Sequence, residues 1–169
     1  PLLAKQQTNL YKCFLVFNWS LLNRDGMQGL VHQPGVFDDP KGGVLRTELS
    51  CRLAWYFSFA NELKLFSEIA NRSRYCISVS RGRTCSPNFK IVSNLLHPQT
   101  LAEAQIHDGH GTVPGLKGDD DRWDLRGHSS RIVHADATTL TLFAALYDKP
   151  GTPPLEARIP AVHSREVLS

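Results

Sequence analysis

Whatever this chain folds into has to bury the stretch from Thr47 to Asn71. Leu49, Leu53, Tyr56, Ala60 and Leu63 recur there every three or four residues, the interval that lines one stripe of an α-helix, and Trp55, Phe59 and Phe66 widen that stripe. Ser50, Ser58, Asn61, Lys64 and Glu68 fall on the other side. Thr47 is placed to cap the first turn, Glu48 to answer the positive end of the helix dipole, and Asn71 to take the left-handed turn that closes it. The spacing predicts one long amphipathic helix. Against it stands the β propensity of Trp-Tyr-Phe-Ser-Phe, which would make Ala54 to Ala60 a strand. In either form the segment is core.

The other elements follow from shorter patterns. Residues 1–9 are polar and expected to be loose, and Tyr11 to Leu22, an apolar run with aromatic and β-branched members, reads as a buried strand. Asp25-Gly26 turns the chain into a loop rich in Gly, Pro and Asp that leads to the helix. Tyr75, Ile77 and Val79 alternate with Cys76, Ser78 and Ser80, and with Phe89, Ile91 and Val92 as the return strand they predict a hairpin over residues 74–93. Pro98 opens a short helix that reaches Ile106. Residues 107–128 then hold five Gly, five Asp and three His, a loop long enough to be functional or mobile. Beyond it, Arg131 to His134, Thr138 to Tyr147 and Leu155 to Ile159 read as strands. The sum is one α+β domain spanning 1–169, a mostly antiparallel sheet with one long amphipathic helix packed on one face.

A chain of 169 residues, 41% of them hydrophobic, has the material for a single core, and no apolar run is long enough to span a bilayer. The formal charge of +3 comes from scattered Lys and Arg, so nucleic acid is permitted as a partner and not indicated. The sequence begins at Pro1, which suggests a processed or trimmed product, and its compartment is left unassigned. Two Asn-x-Ser sequons, at Asn18 and Asn71, would suit a secreted chain. Of the four cysteines, Cys76 and Cys85 are close enough in sequence to be bridged across the expected hairpin in an oxidising compartment; otherwise all four are thiols.

Three short segments resemble motifs of known families. Asp108-Gly109-His110-Gly111-Thr112 is similar to the catalytic-histidine segment of subtilisin-like proteases, Trp123-Asp124 followed by Gly127-His128 resembles the junction of two WD-type propeller repeats, and Thr141 to Asp148 resembles the first strand of SH3 domains. Each stops within its own segment. The serine segment, the repeated blades and the paired tryptophans that those families require are missing, so no family is assigned.

The chemistry of the long loop stands without them. His107, His110 and His128 supply imidazole nitrogen, and Asp124 and Asp136 supply carboxylate, the donor mix of zinc or manganese hydrolases, with either aspartate as base. Arg72, Arg74, Arg81 and Arg83 make the expected hairpin tip basic and suit a phosphate or an acidic partner gripped bidentately. No complete catalytic constellation can be written, so the expected function is a non-enzymatic binding or assembly module. Its contact surfaces would be the arginine-rich tip and the loop, and its partner another protein. The alternative is a metal-dependent hydrolase built on the 107–136 region.

Overall fold

The computed structural model describes residues 2, 3, 6, 9–23 and 25–168. The N-terminal stretch expected to be loose lies mostly outside them. In chain order the elements are α1 (Leu10–Trp19), β1 (Met27–His32), the single turn α2 (Gly35–Asp38), α3 (Gly43–Ser50), β2 (Leu53–Ala60), β3 (Arg74–Arg81), β4 (Phe89–Leu95), α4 (Pro98–Ile106), β5 (Val133–Ala135) and α5 (Ala137–Tyr147). Short 3-10 turns occur at Asn61–Leu63, Ser129–Arg131, Pro154–Glu156 and Arg165–Leu168. The strands make one five-stranded sheet in the order β1-β3-β2-β4-β5. The class is α+β, but the sheet is mixed rather than mostly antiparallel, and among the described residues no single long helix packs against it.

The segment expected to be that helix is divided among three structures. Its first residues end α3, its middle is β2, and its end is a turn followed by a loop. Tyr56, Phe57, Ser58 and Phe59 are all buried, which a strand covered on both faces produces and an amphipathic helix cannot. Ser58, placed in water by the helical spacing, is 4% exposed. Asn61 then turns the chain: its Nδ2 donates to the carbonyls of Phe66 (2.9 Å) and Ile69 (3.0 Å), and its Oδ1 accepts from the Phe66 N–H. The rival reading of Ala54 to Ala60 as a strand is the correct one.

That change breaks the expected hairpin. Both of its strands exist, as β3 and β4, yet β2 lies between them in the sheet. β3 instead pairs antiparallel with β1, from Met27 opposite Arg81 to His32 opposite Cys76. The stretch read as a loop before the helix therefore contains an edge strand and two helices. The four cysteines are free thiols, Cys76 buried and Cys85 exposed.

Two segments read as strands are helices. α1 is capped by the Asn9 side chain, which accepts from the Tyr11 N–H, and buries Lys12 and Leu15. α5 is capped by Asp136 and buries Leu140, Phe143 and Ala144, three residues at helical spacing. Leu155 to Ile159 is no strand either: it begins in a 3-10 turn, and the Ile159 N–H bonds the Phe37 carbonyl.

The chain divides into two compact units, residues 1–56, 76–90 and 134–160 in one, and 57–75, 91–133 and 161–169 in the other. In the first, Phe37 packs at 3.9 Å, ring centre to ring centre, on Tyr56. Arg46, 1% exposed, donates to the carbonyls of Val36, Asp39 and Glu156, tying α3 to the turn at Pro154–Glu156. In the second, Phe59 stacks on Tyr75 at 5.0 Å, Phe66 meets Tyr75 edge-on, and buried Arg131 donates to the carbonyls of Ser93 and Asn94. Among the described residues no helix is long and apolar enough to cross a membrane.

Candidate functional site

The long loop is built rather than loose. Lys117 bridges to Trp123, the Gly118 N–H bonds the Arg122 carbonyl and the Asp124 N–H bonds the Leu116 carbonyl, so residues 116–124 form a small hairpin with Asp121 in the left-handed region at its tip. Lys117 Nζ bonds Asp121 at 2.6 Å and lies 5.4 Å from the centre of the Trp123 ring, a cation over an aromatic face. The chain then returns to α4. Thr100 Oγ1 donates to the Leu125 carbonyl at 2.7 Å, and the Gly127 N–H donates to Glu103 at 2.8 Å. A Cβ on residue 127 would collide with the Ala104 backbone nitrogen and the Thr100 carbonyl, so only glycine allows this approach. Between α4 and the small hairpin lies a cleft of about 460 Å³, lined by Gln99, Glu103, Arg122, Trp123, Asp124 and Arg126 among others.

The residues expected to do chemistry are already engaged. Asp124 borders the cleft, with its carboxylate held by Arg126 at 2.5 to 3.1 Å, and that bond keeps its pKa below the usual carboxylate range. A carboxylate so held is a poor proton acceptor at neutral pH. Asp136 caps α5 through the Thr139 N–H at 2.9 Å, which lowers its pKa in the same direction. His107 and His128 do meet, with ring centres 4.2 Å apart. However, the Nδ1 lone pair of each accepts a backbone N–H, from Gly109 at 2.9 Å and Ser130 at 3.0 Å. The Nδ1 atom of each ring is thus engaged by the backbone, and the buried Nε2 of His128 has no hydrogen-bond partner among the described residues. His110 is exposed, and its backbone N–H bonds Asp108. Among the described residues no three His, Cys, Asp or Glu side chains are grouped so as to hold a metal ion.

The arginines separate into two pairs at opposite ends of β3. Arg72 and Arg74 are exposed where the strand begins; Arg81 and Arg83 lie where it ends. Arg83 pairs with Glu48 at 3.2 Å, and Arg81 Nη2 donates to the Asn88 carbonyl. With Asp25, Met27 and Thr84 they line a second cleft of about 480 Å³. The expected cluster of four failed because it assumed a β3-β4 hairpin to gather them.

One surface went unread in the sequence. On α1 and the turn that closes it, Leu10, Phe14, Phe17 and, just past the helix end, Leu21 are 69, 52, 58 and 67% exposed, away from the buried Lys12 and Leu15. Their spacing of four, three and four residues was legible, but taking the run as a strand assigned them to a core. No protein-family model matches the chain, and no curated protein matches it.

Proposed function

We propose that this chain is a non-enzymatic binding or assembly module that engages a protein partner. The observation that carries the reading is the apolar face of α1 and the turn after it, where Leu10, Phe14, Phe17 and Leu21 stand more than half exposed. A contiguous apolar patch of that kind marks an interaction surface. Two polar surfaces support it: the cleft beside Arg81 and Arg83, suited to an acidic group, and the small hairpin of the 107–128 loop, which presents Trp123 and Arg122. The hydrolase alternative keeps the donor composition of the loop and the adjacency of His107 and His128 as its support.

The test is photo-crosslinking of the full chain, with a photoreactive phenylalanine analogue in place of Phe17, Arg83 or Trp123, in extract of the cells that make it. Discrete protein adducts at one or more of these positions are expected. Their absence at all three would overturn the reading.

A further inference from the structure

We infer that the partner of the α1 face is a second copy of this chain, docked antiparallel about a two-fold axis that passes between Phe14 and Phe17; this rests on the binding reading above and names its partner. The row Leu10, Phe14, Phe17, Leu21 is palindromic both in spacing, four-three-four, and in residue type, Leu-Phe-Phe-Leu. A two-fold axis perpendicular to the helix sets Leu10 against Leu21 of the other copy and Phe14 against Phe17. Self-complementarity of this kind is what an isologous interface requires, since each patch must serve as its own partner. The spacing is also that of a coiled-coil seam, in which side chains four and three apart interdigitate with those of a facing helix.

Charge points the same way. The residues beside the seam are Tyr11, Cys13, Asn18 and Ser20, all neutral, and the one charge within α1, Lys12, is buried on the far side and paired with Asp39 at 3.1 Å. The same two-fold sets Cys13 beside Asn18 of the other copy, so no like charges meet. A lipid surface or an acidic helix would call for a basic rim, and α1 has none. Four side chains more than half exposed offer on the order of 500 Å² of apolar surface per copy. That is at the small end of specific interfaces, so the dimer is concentration-dependent, with Kd on the order of micromolar.

Sedimentation of the full chain from about 1 μM to several hundred μM tests this. A monomer–dimer equilibrium is expected, weakened at least tenfold by Phe14→Asp with Phe17→Asp while far-UV circular dichroism stays unchanged, because both rings are in solvent. In a background of Cys13→Ser and Cys85→Ser, mixing Leu10→Cys with Leu21→Cys chains should give a cross-linked mixed dimer, with neither variant cross-linking to itself. A chain monomeric throughout, a dimer indifferent to the two Asp substitutions, or cross-linking of Leu10→Cys to itself would overturn the proposal. So would a monomer that sediments with neutral phosphatidylcholine vesicles through α1. If the chain is monomeric while photo-adducts with another protein still form at position 17, the dimer fails and the binding reading stands; if the chain is monomeric and no adduct forms at positions 17, 83 or 123, both fail.

Discussion

α1 and β2 are the two most aromatic stretches of the chain, and each adopts the conformation that local pattern would assign to the other. Tyr-Lys-Cys-Phe-Leu-Val-Phe-Asn-Trp, rich in β formers, is a helix capped by Asn9, whereas Leu-Ala-Trp-Tyr-Phe-Ser-Phe-Ala, with apolar residues at helical intervals, is a strand at the middle of the sheet. The difference lies in how many faces are covered. β2 is buried on both, so every position must be apolar or small and a continuous run results, from which any period can be picked out. α1 is buried on one face only, and its second apolar face is exposed.

The largest test of that contrast is a pair of truncations. Leu53→Ala in β2, a site 1% exposed, should cost about 2–5 kcal/mol in denaturant unfolding. Phe17→Ala in α1, at 58% exposed, should stay within about 0.5 kcal/mol in dilute protein. Equal losses at the two sites would mean that the α1 face is covered in the monomer, and the comparison would break.

A smaller effect probes the third misread segment. Asp136→Ala removes the cap of α5 and should cost about 1 kcal/mol, measured by thermal or chemical unfolding. Asp136→Asn and Asp136→Ser should recover most of it, because both still accept the Thr139 N–H. A variant that loses activity or bound metal without losing stability would return Asp136 to the hydrolase alternative.

Beneath α1 the effect is gradual and set by pH. His32 sits between the rings of Tyr11 and Phe37, its Nδ1 donating to the Gln33 carbonyl and its Nε2 accepting from Ser78. Burial pushes its pKa below the ordinary histidine value. The unfolded chain then binds the proton more readily than the folded one. His32 therefore contributes stability that is present above the unfolded pKa of about 6.5 and is lost as pH falls through the lower folded value. Melting curves from pH 8 to pH 5 should show this decline, and it should be diminished in His32→Gln. A stability indifferent to pH in that window would remove His32 as the titrating anchor of α1.

Thiol labelling should change stability least and still separates exposed from enclosed surface. Cys85 is exposed and should react with an alkylating reagent in minutes, whereas burial raises the Cys76 thiol to about 12 and should leave it unreacted until denaturant is added. Mass mapping of the labelled peptides reads this directly. Early modification of Cys76 would show that the β1-β3 edge opens.

Features carried by immediate neighbours could be read from the chain: Pro98 at the start of α4, the alternation that makes β3, the extended run of β4, and the irregular 107–128 segment. Asp136 and the spacing of Leu140, Phe143 and Ala144 suit α5, but Leu140, Leu142 and Ala144 also alternate with Thr139, Thr141 and Phe143 as a strand would have them, so the local pattern does not decide. The ligand-like histidines lie in that loop, but the Nδ1 atoms of His107 and His128 accept the backbone N–H groups of Gly109 and Ser130, a local detail that composition does not carry.

By itself the sequence determined an α+β chain with enough apolar material for a core, a built helix at 98–106, strands at β3 and β4, and the position of the long loop. Only tertiary structure decided that β2 enters between β3 and β4, which arginines share a cleft, and which face of α1 stays in water. The physical reason is that hydrophobic burial is non-directional: it dictates that Phe17 and Phe57 seek cover, while strand order and helix packing, set by distant segments, determine which of them finds it.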